Sequence, residues 1–332
     1  MKSKIITVLI IVICILFFAL FTDYIGLFKS GTDVTLDIPN GSNVIEIAQM
    51  LKDNSVLRHP KIFTVYSVIN DAKFQAGKHT FDKKSYGKIF KELSSVTPTE
   101  SVVVTIPEGY EQREIASLLE EAGVCKAEDF NKSAVAKNFQ SYWFLQDLPE
   151  REYQLEGYLF PDTYEFSLND NPASIIKKML DNFDSKITEE IKSATESTGL
   201  TFDQLITLAS IIEREAATDK DFKLVSGIFH NRLNYIGEGD GFLRSCATVQ
   251  YILKERKNVL SISDTEIDSP YNTYKYAGLP VGPVASPGID TIVAASFPEK
   301  TEYIYFASDA NGKLYYAKTY SEHQNNMRKA GL

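Results

Sequence analysis

The sequence predicts an α+β protein that follows an N-terminal transmembrane helix, and three features of the chain support this prediction. An uncharged apolar run fills residues 5–22. A unit with the pattern strand, turn and helix then occurs twice in the same register. Amphipathic segments with helical spacing follow, and the chain closes on the alternating pattern of a β-hairpin. Helices and small sheets are therefore expected to share one chain.

The composition is that of a globular protein and argues against a nucleic-acid partner. Of the 332 residues, 44% are hydrophobic and 24% are charged, which allows two or three domains with normal cores. The net charge of −9 opposes binding to a polyanion, because phosphate contacts draw on clustered lysine and arginine. Beyond the apolar run, Cys125 and Cys246 stand in no metal-ligand spacing. Two free, buried thiols are expected, and a disulfide between them is the alternative.

The N-terminal run has the length and flanking charges of a membrane anchor. Lys2 and Lys4 precede Ile5–Thr22, and Asp23 follows it. About 18 apolar residues suffice to cross a bilayer core, and the lysines place residues 1–4 in the cytoplasm. The alternative is a cleaved signal peptide, but the run exceeds a usual hydrophobic region and no small-x-small cleavage site follows. The body after the 23–33 linker is therefore expected outside the membrane.

An internal repeat follows the linker. Val34–Val56 and Val102–Val124 share nine identical residues in one register. Each copy reads as a β-rich run, a Pro-x-Gly turn and an amphipathic helix, so we expect two small α+β units. Between the copies, two short helices are predicted at Lys61–Ile69 and Tyr86–Leu93, around a strand at Ala76–Phe81.

An aromatic stretch at Leu155–Phe166 allows two interpretations. Tyrosines and phenylalanines alternate there with acids, among them Glu156 and Asp162. Such a pattern suits a wall that stacks sugar rings and binds hydroxyl groups, and it suits an ordinary core equally well. A pair of helices is predicted next, over Ala173–Thr198.

The best-defined helix of the chain is predicted from Thr201. Thr201 and Gln204 form a capping-box start, and a buried stripe with helical spacing follows. Arg214 falls opposite that stripe, whereas Glu213 falls at its margin and is expected to be half desolvated. Such a carboxyl group favours its protonated form, which a general acid needs. The alternative is that Glu213 and Glu215 are ordinary solvated positions.

The C-terminal third is predicted to contain helices, one long loop and a hairpin. Ser269–Ile289 holds four prolines and three glycines, so it is expected to be a loop, and its tyrosines and valines favour an ordered one. The remaining predicted segments are helices at Lys220–Leu233, Ala247–Lys254 and Ser321–Lys329, and hairpin strands at Glu302–Ser308 and Lys313–Lys318.

Most catalytic chemistries find no support in the sequence. There is no G-x-S-x-G motif, no phosphate-binding glycine loop and no cluster among the four histidines, so no metal or cofactor is expected. Carboxylate acid/base chemistry with aromatic walls remains, and it favours glycan cleavage.

Six ordered stretches resemble the endolytic murein transglycosylase, or YceG-like, family. They run from the aromatic segment to the hairpin and include the helix that carries Glu213. The stretches are EGYLFPDTYEF (156–166), LASIIEREA (208–216), FHNRL (229–233), ATVQY (247–251), SPYNTYKYAGLPVGPVASPG (269–288) and YFASDANGK (305–313).

The resemblance implies a membrane-anchored enzyme that cuts peptidoglycan glycan strands beside the cell-wall synthases. It implies that Glu213 is the catalytic residue, that residues 34–100 form a LysM-like glycan-binding module, and that residues 101–332 form the catalytic domain. Within that domain, residues 101–165 hold the second repeat and the aromatic stretch, and residues 166–332 hold the catalytic core. One departure is visible: the family often has Ser-Asp-Pro where this chain has Ser245, Cys246 and Ala247. Cys246 cannot replace a carboxylate base.

The expected reaction needs a single acid. In a lytic transglycosylase the 6-hydroxyl of N-acetylmuramic acid (MurNAc) attacks its own anomeric carbon, so Glu213 serves as acid and then as base and leaves a 1,6-anhydro end. The alternatives are a non-enzymatic peptidoglycan-binding scaffold for synthases and a lysozyme-like hydrolase. The tyrosines of the loop are expected either to hold the sugars or, as the alternative, only to pack the loop. The residues expected to hold the sugars are Tyr271, Asn272, Tyr274 and Gln250, with Glu156 and Asp162 as weaker candidates.

Overall fold

The structure is a computed structural model that describes residue 24 and residues 33–331, with gaps at 40, 82–84, 96–99, 217, 238–239 and 258. The chain divides into two compact units, Met1–Ser101 and Val102–Leu332. The predicted cytoplasmic tip and transmembrane helix, residues 1–22, lie outside the described residues. Among the helices that are described, none has both the length and the hydropathy needed to cross a membrane.

In its described residues, the first unit contains a two-stranded sheet and three helices. Its strands are antiparallel, with Val34 opposite Phe81 and Ile38 opposite Gly77. The core consists of apolar side chains from every element, and both predicted helices and the predicted strand are present within one residue of their expected starts. In chain order the elements are β1 (Val34–Ile38), α1 (Val44–Asp53), α2 (Pro60–Ile69), β2 (Gly77–Phe81) and α3 (Tyr86–Ser94).

The second unit surrounds one larger core with helices and two further two-stranded sheets. The sheets pair β3 with β4 and β5 with β6. The elements are β3 (Ser101–Thr105), α4 (Gln112–Glu121), α5 (Ala127–Ser133), β4 (Thr163–Ser167), α6 (Pro172–Lys186), α7 (Glu189–Thr198), α8 (Phe202–Glu215), α9 (Asp219–Leu233), α10 (Cys246–Leu253), α11 (Ile262–Thr265), α12 (Ile289–Ser296), β5 (Tyr305–Ser308), β6 (Leu314–Ala317) and α13 (Tyr320–Ala330).

The two repeats share local structure and differ in strand pairing. Each has a strand, a turn and a helix, and Gly41 and Gly109 occupy the turns with φ of 81° and 74°. Only glycine adopts that conformation without strain, so the Pro-x-Gly pattern was a reliable signal. β1 pairs with β2, the next strand along the chain. β3 also pairs with the next strand, but that strand is β4, which lies in the aromatic stretch far from the second repeat.

Helix α8 matches its prediction at the start and differs at one position near its end. The Thr201–Gln204 capping box is present, and every residue from Leu205 to Ile212 is buried. Arg214, predicted on the outer face, has a side chain that is only 8% exposed. Its guanidinium lies 3.6 Å from the buried Glu111 carboxylate, so the second repeat covers a face that periodicity alone assigns to solvent.

The aromatic stretch is core. All four aromatic side chains are buried, namely Tyr158, Phe160, Tyr164 and Phe166. The prediction of a sugar-stacking wall is therefore wrong, and the interpretation as core is confirmed. Tyr158 stacks on Phe144 with ring centroids 5.5 Å apart, which shows the rings filling the interior.

The remaining C-terminal predictions are confirmed with small boundary shifts. The loop at 269–288 contains no helix or strand and is nevertheless buried over Gly282–Gly288. β5 and β6 form the predicted antiparallel hairpin, with Tyr305 opposite Ala317. Cys125 and Cys246 are free, as expected, but Cys125 is half-buried and Cys246 exposed, so the expected burial is wrong.

Candidate active site

Glu213 lies at the C-terminal end of α8, half-buried, with one carboxyl oxygen held by two donors. Its Oε2 accepts hydrogen bonds from the Gly288 N–H at 3.0 Å and from the Thr291 hydroxyl at 2.8 Å. Within the described part of the chain, Oε1 receives no hydrogen bond. The two oxygens therefore differ: Oε2 is fixed as an acceptor and Oε1 remains available to a substrate.

The Thr291 hydroxyl has two possible acceptors. It lies 2.8 Å from Glu213 Oε2 and 3.0 Å from the Gly288 carbonyl, and Thr291 is fully buried. A hydroxyl carries one proton, so it donates to one of these oxygens at a time. When Glu213 is ionised, the Thr291 hydroxyl donates to its Oε2. If Oε2 carried a proton, Oε2 would donate to the Thr291 oxygen, and Thr291 would donate to the Gly288 carbonyl.

The turn of the second repeat closes onto Glu213. Gly109 donates its N–H to the Ser286 carbonyl at 2.8 Å, and Ser286 donates back to Tyr110 at 2.7 Å. A Cβ on Gly109 would lie 3.7 Å from Glu213 Cγ and 3.4 Å from Arg214 Cδ. The site is thus built from three separate segments: the end of α8, the turn after β3 and the start of α12.

A second acid, Glu108, reaches this site and was missed by the sequence analysis. Glu108 is exposed, and its Oε1 would lie 2.0 Å from a Cβ placed on Gly288. A carboxyl group therefore lies against the residue that donates to Glu213. The sequence pattern gave little indication of this role, because only the second repeat has an acid before its turn glycine. The first repeat has Asn40 before Gly41.

Arg214 connects Glu213's helix to both neighbouring segments. Besides its ion pair with Glu111, Arg214 donates to Gln250 Oε1 at 3.3 Å. Burial raises the pKa of Glu111, against the lowering effect of Arg113 and, less strongly, of Arg214, and burial lowers the pKa of Arg214. Gln250, a predicted sugar ligand, is therefore brought to the residue that follows Glu213.

Glu215 fixes the start of α10. Its Oε1 accepts from the Ser245 hydroxyl at 2.5 Å and from the Ala247 N–H at 3.3 Å. Between them, Cys246 Sγ lies 3.2 Å from the hydroxyl of Tyr274, another predicted sugar ligand. Although the residue as a whole is exposed, the atoms packed around the sulfur desolvate it and raise the pKa of the Cys246 thiol. The acid at this point of the fold is thus Glu215, from the same helix as Glu213.

The other predicted ligands have structural partners. Asn272 is buried and donates to the carbonyls of Thr265 at 3.0 Å and Ile267 at 2.7 Å, so it shapes its loop. Asp162 is exposed, and its carboxylate accepts from Asn182 at 2.9 Å and from the Thr163 N–H at 2.7 Å. Tyr271 is buried, with its ring 4.8 Å from that of Tyr251.

Glu156 is fully buried, so it lies in the core and not on a wall facing sugars. Its two oxygens accept from the Gln112 N–H at 3.0 and 3.1 Å, and Oε2 accepts from the Tyr251 hydroxyl at 3.2 Å. Burial raises the pKa of Glu156 to about 8, against the lowering effect of those donors. The group is therefore largely protonated at neutral pH and acts as a structural link between α4 and α10.

This buried acid predicts a pH-dependent stability. Because the folded pKa of about 8 exceeds the ordinary value of 4.5, the folded state holds a proton that the unfolded state releases, and stability falls as pH rises from about 4.5 to 8. We expect Glu156→Gln, which mimics the protonated acid, to be more stable than the parent at pH 9, by on the order of a few kcal/mol. The difference should shrink towards pH 5.

Urea unfolding at pH 5, 7 and 9 measures this effect. Glu120→Gln, at an exposed position of α4, is the control and should leave the pH profile unchanged. A constant difference between Glu156→Gln and the parent across this range would contradict the assignment.

The chain matches one protein family over most of its length. The model of the YceG-like family matches residues 36–329. A crystal structure of a yceG-like protein from Listeria monocytogenes superposes with a TM-score of 0.61 at 32% identity, covering 89% of this chain and 99% of that one.

Curated relatives carry a consistent name. Proteins named endolytic murein transglycosylase are 36% identical in Streptococcus pneumoniae D39, over 89% of this chain, and 33% identical in Bacillus subtilis 168, over 90% of it. The chain spans 58% of the length of the pneumococcal protein and 85% of that of the Bacillus protein.

Proposed function

The chain belongs to the YceG-like family, and from this premise we propose that it is an endolytic peptidoglycan lytic transglycosylase. It cleaves the β-1,4 bond between MurNAc and N-acetylglucosamine (GlcNAc) within glycan strands and leaves 1,6-anhydroMurNAc ends. The observation that carries the proposal is the Glu213 carboxyl group, which is fixed through Oε2 and open at Oε1. The names of the relatives support the choice of substrate.

Glu213 acts twice in one reaction. Protonated Oε1 gives its proton to the glycosidic oxygen as the bond between that oxygen and C1 of MurNAc breaks. The resulting carboxylate then takes the proton of the MurNAc 6-hydroxyl as O6 bonds to C1, which restores the acid and closes the anhydro ring. The substrate's acetamido group stabilises the positive centre between these steps. No water and no second carboxylate take part.

Thr291 is a positioning residue for Glu213. Its hydroxyl donates to the carboxylate that forms when the proton leaves, and turns to the Gly288 carbonyl when Oε2 needs no donor. This holds the carboxyl plane in place while its charge changes, so Oε1 stays directed at the substrate.

Thr291→Val is expected to lower the rate of cleavage about tenfold, because it keeps the shape but removes a hydrogen bond to a charged group. The loss should fall on kcat and leave KM nearly unchanged, because Thr291 acts through Glu213. Thr291→Ser, which keeps the hydroxyl, should restore kcat. The measurement is kcat and KM on purified glycan strands, and equal kcat for all three proteins would refute the role.

Gln250 and Tyr274 are proposed to contact the sugars beside Glu213. Gln250 is held by Arg214, and Tyr274 by Cys246, and both side chains are half-buried. Asn272 supports Tyr274 from within the loop, since its Oδ1 accepts the Tyr274 N–H at 3.0 Å.

The remainder of the chain is proposed to bring this site to its substrate. Ile5–Thr22 anchors the protein in the lipid bilayer with the N-terminus in the cytoplasm. The first unit is a LysM-like glycan-binding module, and the second unit acts outside the membrane beside cell-wall synthases.

Digestion of purified sacculi by the full-length protein tests the proposal. Mass analysis should find muropeptides with 1,6-anhydro ends from within the strands. Products with reducing ends would indicate a lysozyme-like hydrolase, and binding without any released product would indicate a scaffold.

A further inference from the structure

We propose that the outward face of α2, in the first unit, lies on the surface of the lipid bilayer beside the membrane anchor. The inference rests on the anchor that is part of the proposed function, and it gives the first unit a contact with lipid of its own. α2 runs over Pro60–Ile69 and contains no acid and a single lysine, Lys61. A helix this apolar is normally buried on all sides.

One side of α2 is exposed, and that side is apolar. Phe63 and Ser67 have no exposed surface, so they mark the side that faces the core of the unit. At 100° per residue, the exposed residues fall in a sector of about 120° on the opposite side. This sector, the apolar face of α2, holds Lys61, Ile62 (37% exposed), Val65 (59%), Val68 (68%) and Ile69 (77%). Contiguous exposed apolar side chains mark a contact surface, whereas isolated ones need no explanation.

Tyr24 connects the apolar face of α2 to the predicted anchor. Its ring lies edge-on to that of Tyr66, with the centroids 5.6 Å apart. Tyr66 is one helical turn from both Ile62 and Ile69, so Tyr24 packs at the edge of the apolar face. Only Asp23 separates Tyr24 from the apolar run that forms the anchor. An anchor that leaves the bilayer at this point brings the apolar face of α2 to the lipid surface, where tyrosine is a common residue.

The charges beside the apolar face suit anionic lipid headgroups. Arg58 precedes α2, Lys61 lies within the face and Lys73 follows the helix, and all three are exposed. Asp71 is the only acid between Arg58 and Lys73. Long cationic side chains lie along apolar surface and place their charge among the headgroups. A second copy of the chain would bring these cations towards their own counterparts, whereas a bilayer matches both the apolar residues and the cations.

Tryptophan fluorescence of the full-length protein in vesicles tests the contact. Trp143 is the only tryptophan of the chain, so Trp143→Phe gives a background in which one added tryptophan reports its own surroundings. Val65→Trp adds it on the apolar face, and Thr80→Trp adds it at an exposed position of β2 as the control. The vesicles contain phosphatidylglycerol and phosphatidylcholine, with or without bromine on the upper acyl chains. Bromine quenches tryptophan on contact.

The Val65→Trp protein should emit at shorter wavelength in vesicles than the Thr80→Trp protein, and brominated lipid should quench most of its emission. The reason is that an interfacial helix buries its apolar face about 5–10 Å into the lipid. Equal quenching of the two proteins would overturn the contact, as would no quenching of the Val65→Trp protein when it floats with the vesicles. A shift to shorter wavelength without quenching would show that protein covers the face, and would overturn it too.

An added charge gives an independent test in the Val65→Trp protein. Ile69→Glu places a carboxylate on the apolar face, which opposes contact with lipid, and should therefore abolish most of the quenching. Thr35→Glu, at an exposed position of β1, is the matched control and should leave the quenching unchanged. Both positions are exposed, so circular dichroism should show intact folds. Equal quenching in the two charge variants would contradict the proposal.

Flotation and sacculus digestion separate this inference from the proposals on which it rests. If the full-length protein fails to float with vesicles after alkaline carbonate treatment, the anchor and the α2 contact are both wrong. If it floats and the fluorescence shows no contact at α2, only this inference is wrong. Digestion of sacculi needs no lipid, so it decides the transglycosylase reaction whatever the vesicle experiments show.

Discussion

Replacing Glu213 with glutamine is expected to lower the rate of glycan cleavage by about 10²–10⁴-fold, the range for loss of a general acid. The amide keeps the shape of the side chain, and its carbonyl oxygen can still accept from Gly288 and Thr291. What it cannot do is release a proton from the position of Oε1. Binding of the strands should therefore persist while release of anhydro-ended muropeptides stops.

Two further glutamates make this experiment specific. Glu196→Gln, at an exposed position of α7, is the matched control and should cleave at the parent rate. Glu108→Gln tests whether the carboxyl group against Gly288 is a second catalytic acid. We expect a smaller loss there than at Glu213, because the reaction needs only one acid.

The readout is the initial rate of muropeptide release from sacculi, with strand binding followed by co-sedimentation. If the Glu213 variant cleaves at the parent rate, Glu213 is not the acid. If the Glu108 and Glu213 variants fall equally, the scheme with one acid is wrong and the site works with a carboxyl pair.

The sequence predicted the helix under Glu213 and not the groups that hold its carboxylate. The start at Thr201 and the buried stripe are set by contacts within a few residues, which periodicity and capping rules describe. Gly288 and Thr291 lie far along the chain, in and after a proline-rich loop that has no period. Only the folded chain shows that this loop ends on Glu213.

Strand pairing and burial were ambiguous for a related reason. The repeat predicted each strand, but β3 pairs with β4, far along the chain from the second repeat, and no local signal specifies a partner across that distance. In the aromatic stretch, aromatic residues alternate with acids, and this pattern is compatible both with a sugar-binding wall and with a protein core. Its burial follows from helices that cover it, among them α6, which brings Phe183 to within 5.3 Å of the Tyr158 ring.

The second large effect is expected on stability, from a buried ion pair that anchors the same helix. Arg151 has a side chain with no exposed surface, and its two terminal nitrogens each donate to an Asp203 oxygen at 3.0 Å. Asp203 lies in the first turn of α8 and also accepts from the Tyr158 hydroxyl at 2.7 Å. The pair thus ties the start of the catalytic helix to the segment before the aromatic stretch.

Asp203→Ala is expected to lower the free energy of unfolding by about 3–5 kcal/mol, because it leaves the Arg151 charge buried without its partner. Urea unfolding at pH 7 measures this loss. Glu128→Ala is the control: Glu128 pairs with Lys132 at an exposed site of α5, and such pairs contribute little to stability. The double variant Arg151→Met/Asp203→Leu, which buries no charge, should recover much of the stability lost by Asp203→Ala. Equal losses in the single and double variants would show that the cost comes from packing at the start of α8 and not from an unpaired charge.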